Sequence, residues 1–285
     1  MELAIISGKG GTGKSSISAA FATLSKEVVL ADCDVDAANL YLLFNPDSEE
    51  EHVFVSGHKA ILDKEKCIDC GICVDYCRFD AIVEDEEGVR IMETLCEGCL
   101  LCSRICPQQA IHIEEEDGSR YYVGRFKNGR MVYGRLAPGE ENSGMLVAKV
   151  REKAKEVAKE EGLEHIIIDG PPGIGCSAIS AITGVDAVLV VTEPSMSGLH
   201  DLKRTLELTA SFKLPTTVII NKFDINKEVS SEIERYCNSK RIEVIAQLPF
   251  DPIVVESMVN CNSITDYAPD AEISKLIKQT HSKIF

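Results

Sequence analysis

Residues 2–15 read ELAIISGKGGTGKS, and the reading of the whole chain turns on them. An apolar run, 2–7, has the composition of a buried strand. It leads directly into Gly8-Lys9-Gly10-Gly11-Thr12-Gly13-Lys14-Ser15, which matches Gly-x4-Gly-Lys-Ser/Thr, and a helical pattern follows. Glycines let backbone N–H groups close around phosphate oxygens, and the helix N-terminus behind them adds its positive dipole end. Gly8, Gly10, Gly11, Thr12, Gly13, Lys14, Ser15 and Ser16 are therefore the expected phosphate cradle. In such a loop the lysine, here Lys14, neutralises the β- and γ-phosphates, and the hydroxyl of Ser15 ligates Mg²⁺.

Outward from this loop, short Val/Ile/Leu-rich runs alternate with helical patterns. Strands are predicted at 2–7, 27–32, 165–169, 187–192, 216–221 and 243–247, and helices near 14–25, 144–162, 198–213 and 228–240. Near-continuous apolar strands separated by helices imply a doubly wound, mainly parallel sheet covered on both faces. The alternation fails between about 45 and 140, where a Cys-rich, acidic stretch is followed by a segment, 118–135, that reads as a β-hairpin. The expected organisation is thus an α/β domain (1–57 and 118–285) carrying a small α+β insert (58–117).

The insert holds an internal repeat. CIDCGICVDYCRFDAI from Cys67 returns as CEGCLLCSRICPQQAI from Cys96, 29 residues later, with all four cysteines and the trailing Ala-Ile in phase. A chain without a recognisable secretory leader sits among reduced thiols, so clustered cysteines there point to metal rather than disulfides. The spacing C-x2-C-x2-C-x3-C, twice, is that of bacterial-type ferredoxins, in which the fourth cysteine of each run ligates the other cluster. Two 4Fe–4S clusters are expected, one on Cys67, Cys70, Cys73 and Cys106 and one on Cys96, Cys99, Cys102 and Cys77. Four-cysteine zinc sites are the alternative, and the duplicated threefold run favours iron–sulfur. Arg78 stands where ferredoxins usually have proline, which leaves the ligand count intact.

A second lysine, Lys9, follows the first glycine of the loop. With it, GKGGTGKS resembles the P-loop ATPase family that includes MinD, ParA and the nitrogenase iron protein, and the whole chain resembles members of that superfamily with an inserted ferredoxin domain. The resemblance implies an ATP-dependent homodimer in which Lys9 reaches the partner's nucleotide. It also implies that VVLADCDVDAANL (28–40) is switch I, with Asp34 positioning the attacking water. In HIIIDGPPGIG (165–175) it identifies Asp169 as the Mg²⁺ aspartate and 170–175 as switch II. Asn221-Lys222-Phe223-Asp224 is superficially like the guanine reader of GTPases. In MinD-like proteins an Asn at this strand end contacts adenine and a Pro-containing loop packs on the base. Asn221, Pro249 and Phe250 are the residues so implied, and ATP is the expected nucleotide.

The remaining cysteines are Cys33, Cys176, Cys237 and Cys261. Cys176, directly after switch II, is placed to feel the nucleotide state. Net charge is −16, and residues 45–118 carry 19 acidic side chains against 6 basic ones. Such a field repels phosphate backbones, so no nucleic-acid partner is expected; it suits a basic protein partner. The longest run free of Asp, Glu, Lys and Arg, 170–185, is broken by glycines and prolines, so no membrane span and no stable membrane association are expected. The chain is expected in the cytoplasm. The leading expectation is ATP-driven dimer switching coupled to electron transfer or metallocluster maturation, with an unidentified redox or cluster-acceptor protein. The rivals are a cluster carrier with Cys176 as the labile site, and a redox-sensing positioning switch.

Overall fold

The computed structural model describes residues 1–285. The chain opens with β1 (Glu2–Ser7), α1 (Lys14–Leu24), β2 (Val28–Asp32), α2 (Leu40–Phe44) and β3 (Asp47–Phe54). The Cys-rich segment contributes β4 (Gly57–Leu62), α3 (Ile72–Tyr76), β5 (Ile82–Asp85), β6 (Gly88–Ile91), α4 (Leu101–Ile105) and β7 (Ile111–Glu116). The hairpin β8 (Ser119–Phe126) and β9 (Gly129–Arg135) follows, then α5 (Ser143–Glu161), β10 (His165–Pro172), α6 (Cys176–Ile182), β11 (Ala187–Thr192) and α7 (Met196–Ser211). The chain ends with β12 (Thr216–Asn221), α8 (Lys227–Ser239), β13 (Glu243–Leu248), α9 (Pro252–Val259), α10 (Ile264–Tyr267) and α11 (Glu272–Ile284). Every strand and helix read from the α/β pattern is present within a few residues.

The chain divides into two compact units. The first comprises Met1–His52, Tyr121–Arg135 and Ser143–Phe285; the second comprises Val53–Arg120 and Leu136–Asn142. The division differs from the expected 57/58 and 117/118 boundaries by a few residues and places 136–142 in the second unit.

In the first unit a nine-stranded sheet runs β13-β12-β11-β1-β10-β2-β9-β8-β3. Pairing from β13 through β9 is parallel. The hairpin thus extends the main sheet, with β9 docked beside β2. β1 and β2 are buried at every residue, as strands covered on both faces must be. Helix α1 packs its apolar side inward, and Phe21, fully buried, meets His281 and Phe285 of the C-terminal segment edge-on. The C-terminal α11 buries Ile273 and Ile277 in this core. No helix is long and apolar enough to cross a membrane. β1 and β10 are the central pair; β1 leads to β2 on one side and β10 leads to β11 on the other, so these crossovers run in opposite directions. That reversal opens a crevice at the strands' carboxyl ends, where α/β sheets bind ligands.

In the second unit β4 pairs antiparallel with β7, and β5 with β6. The sequence repeat is a backbone repeat. α3 and α4 are related by the same 29 residues, and Asp69 with Gly98, Gly71 with Leu100, and Asp80 with Gln109 all take positive φ at that spacing. Gly98 allows a close approach, since a Cβ there would lie 2.1 Å from the carbonyl oxygen of His58.

Candidate functional site

The loop after β1 turns into α1 through Gly13, whose φ of 92° suits glycine and where a Cβ would meet the Asn221 amide at 2.3 Å. Lys14, the first residue of α1, is 6% exposed. Its Nζ lies 2.9 Å from Asp169 Oδ2 and 3.7 Å from Asp34 Oδ2. Burial alone would lower the Lys14 pKa, but the Asp169 and Asp34 carboxylates outweigh it and hold the ammonium above its ordinary value. Asp169, fully buried on β10, also accepts Ser15 Oγ at 2.8 Å and Ser18 Oγ at 2.6 Å. The chain's cation and hydroxyls thus converge on one carboxylate. Ser15 and Asp169 could hold Mg²⁺, and Lys14 is a cation that could pair with phosphate oxygens.

Asp34 stands beside this group, its carboxyl raised by burial, which the opposing charge of Lys14 only partly offsets. Asp32, two residues earlier, is fully buried and accepts the backbone N–H groups of Asp34 and Leu40, each at 3.2 Å. Burial and the nearby Asp169 push it up to about 7. It shapes the loop that presents Asp34. Sequence reasoning passed over Asp32 in this role, and over Ser18, although Ser18 lies four residues after Lys14 on the same helix face.

A cavity of about 610 Å³ is lined by Gly10–Ser16, Asp34, Asn39, Pro171 and Pro172 among others. An apolar cavity of about 190 Å³ is lined by Asn221, Leu248, Pro249, Phe250 and side chains of the three C-terminal helices. Gly11, Gly13 and Ser16 line both, which suits a ligand with phosphates at one end and a flat base at the other. Asn221 is placed at that junction, yet its amide is engaged by the chain. Nδ2 donates to the Thr12 carbonyl at 2.8 Å, and Oδ1 accepts the Lys222 N–H at 3.0 Å.

Lys9 is held within its own chain. Its Nζ lies 2.7 Å from Glu193 Oε1 and donates to Ser195 and Ser197 Oγ at 3.1 Å each. Lys222 reaches the same carboxylate at 3.0 Å and the Gly11 carbonyl at 2.9 Å. Burial would raise Glu193, but the two lysines hold it below its usual value. Glu193 carried no signal in the sequence beyond its place after a strand.

The eight insert cysteines fall into two sets. Cys67, Cys70, Cys73 and Cys106 line one cavity; Cys77, Cys96, Cys99 and Cys102 line another. The fourth cysteine of each run therefore joins the other run's three. No group of three or more His, Cys, Asp or Glu side chains is arranged to hold a single metal ion; the thiols stand around a volume. Burial raises Cys73, and Cys102 to about 11, so a group of positive irons is what would hold them as thiolates. A four-thiol set around a cavity fits an iron–sulfur cluster. Of the other cysteines, Cys33 and Cys237 are buried and Cys261 is exposed. Cys176 is exposed at the start of α6, and a Cβ on Gly144 would lie 3.3 Å from it.

The model of the CobQ/CobB/MinD/ParA nucleotide-binding domain (CbiA) matches residues 3–263. An uncharacterised protein of Methanocaldococcus jannaschii is 35% identical over all of this chain and 96% of its own. A NUBP1 homologue of Caenorhabditis briggsae, described as a cytosolic Fe–S cluster assembly factor, is 20% identical over 99% of this chain and 80% of its own. Among solved structures, the septum site-determining protein MinD of Pyrococcus horikoshii, complexed with Mg-ADP, superimposes with a TM-score of 0.60. It is 19% identical and the match covers 99% of this chain and 95% of that one. The chain belongs to the CobQ/CobB/MinD/ParA nucleotide-binding family, as a P-loop ATPase with an inserted small α+β unit.

Proposed function

We propose that this chain is a Mg²⁺-dependent ATPase that works as a homodimer and couples nucleotide turnover to electron transfer or metallocluster maturation through two 4Fe–4S clusters. The carrying observation is the sorting of eight thiols into two sets of four in a chain whose Lys14–Asp169–Ser15 group is intact. Water positioned by Asp34 attacks the γ-phosphorus, the bond to the β–γ bridging oxygen breaks, and ADP and phosphate leave. Lys14 and Lys9, the latter delivered to a second copy, neutralise the charge that develops. When bound, each cluster supplies a one-electron couple, and the acidic character of residues 45–118 favours a basic protein as acceptor. The compartment in this reading is the cytoplasm, where reduced thiols persist.

Coupling is supported by where the chain passes from one unit to the other. β9 pairs with β2 in a register that sets Tyr133 against Asp32, and its last residue, Arg135, lies over Tyr41 of α2. Residues 136–142 then belong to the second unit, and the chain returns as α5, with Gly144 against Cys176. This short excursion is flanked by contacts to both nucleotide-responsive segments. The test is anaerobic potentiometry of the apo, ADP and ATP-analogue forms together with an ATP-dependent reduction assay; identical potentials and no ATP dependence dispose of the proposal. The exposure of Cys176 favours a second reading, a cluster carrier with that thiol as labile ligand. In that case Cys176→Ser stops transfer of a cluster to an apo-acceptor and spares reduction.

A further inference from the structure

We infer that Asp224 is a positioning residue for the base-side loop, bracing it through Phe250, and does not itself read the base. The inference rests on placing the base in the cavity beneath Pro249 and Phe250. A carboxylate that reads guanine must turn both oxygens toward the N1–H and 2-amino groups, a bidentate contact that orders the whole side chain. Asp224 is committed elsewhere: its Oδ1 accepts the backbone N–H of Phe250 at 2.7 Å. It is absent from the cavity lining, which Phe250 joins. The carboxylate that does line the cavity, Asp251, caps α9 by accepting the Ile253 N–H at 3.0 Å.

The neighbours of Asp224 are engaged in the same way. Asn221 holds the Thr12 carbonyl, and Lys222 holds the Gly11 carbonyl and Glu193. Asn221, Lys222 and Asp224, three of the four residues at the end of β12, therefore grip the phosphate loop on one side and the base loop on the other. Phe250 is 48% exposed, and between Leu248, held in β13, and Asp251, the cap of α9, the bond to Asp224 ties its backbone N–H in place. Holding the loop in its binding conformation before the nucleotide arrives lowers the ordering cost of binding. Purine choice then falls to the cavity lining, Asn221 included, with Asp224 acting on it only through Phe250.

The test uses the full chain with clusters assembled anaerobically, and binding of ATP, GTP and xanthosine triphosphate with Mg²⁺. Xanthine carries a carbonyl where guanine has its 2-amino group, so a base-reading Asp→Asn change exchanges preference toward it. Asp224→Ala should weaken ATP binding about three- to tenfold, the loss of one hydrogen bond, and raise KM with kcat unchanged. Asp224→Asn keeps an acceptor oxygen and should restore ATP affinity, with no gain for either other nucleotide. Phe250→Ala should weaken ATP as Asp224→Ala does. Gain of xanthosine triphosphate binding by Asp224→Asn overturns the inference, because the side chain would then be reading the base. If Phe250→Ala weakens ATP and Asp224→Ala does not, the brace is wrong and the base site stands. If neither matters, the base site and the inference fall together.

Discussion

The guanidinium of Arg135 lies 5.2 Å from the ring centroid of Tyr41. Tyr41 in turn stacks on Tyr133 at 5.2 Å, and Tyr133 on Tyr122 at 4.9 Å. The helix that follows the Asp34 loop is thus joined by a ladder of aromatic contacts to the two strands that lead to and from the second unit.

A ligand shifts a conformational equilibrium only by its differential affinity, and couplings of this kind run to about 1–3 kcal/mol. For a one-electron couple that is about 40–130 mV between ATP-analogue and ADP forms. Tyr41→Ala should shrink the difference while leaving ATP binding in place, and Asp169→Ala should abolish it. Anaerobic potentiometry of each form is the measurement.

Metal content follows from the sorting of the thiols. The intact protein should hold about eight irons and eight acid-labile sulfides per chain. Because Cys106 lines the cavity of Cys67, Cys70 and Cys73, Cys106→Ser should remove that set's cluster and leave the other near four irons. Stoichiometric zinc without sulfide would sink the assignment.

The two loop lysines should separate by phenotype. Lys14→Ala should lose ATP hydrolysis and much of nucleotide binding, since Lys14 is the buried cation of the Gly8–Ser15 loop. Asp34→Ala should keep binding and lose roughly 100- to 1,000-fold in kcat, the usual scale for one transition-state group. Lys9→Ala should bind ATP as a monomer yet fail both to hydrolyse it and to dimerise. Light scattering with a slowly hydrolysed analogue reads the last point, and a normal dimer with normal turnover would return Lys9 to a role within its own chain.

One stability term is set by His281. Its ring accepts or donates a bond with Ser25 Oγ at 2.8 Å and packs on Phe21, and burial, with His165 nearby, holds its pKa below the ordinary 6.5. The unfolded chain therefore takes up the proton first, so this contribution is present above about pH 6.5 and is lost as pH falls below it. Thermal unfolding between pH 7.5 and 5.5 should show a steeper fall for the wild type than for His281→Gln, which can keep the bond to Ser25. Parallel curves would remove His281 as the cause.

Local chemistry was legible in the sequence. A phosphate loop is defined by residue types at fixed short spacing, so Gly8–Ser15 could be read without knowing any neighbour. The strands announced themselves because both faces of a parallel sheet are buried. The cysteine repeat did so because eight thiols recur at one fixed short spacing. What the tertiary structure decided were the partners far away in the chain: Asp169 for Lys14 and Ser18, Glu193 for Lys9, and Asp224 for Phe250. The first two depend on β1 having β10 and β11 as its neighbours, and the last on β12 lying beside β13, an order set by crossover connections that no local pattern encodes. The same holds for the short segment 136–142, whose place in the second unit is supported by Glu140 accepting Ser56 Oγ at 2.7 Å and the Gly118 N–H at 2.7 Å. Hydrogen bonds between such distant segments leave no periodicity behind, and only the folded chain brings their atoms together.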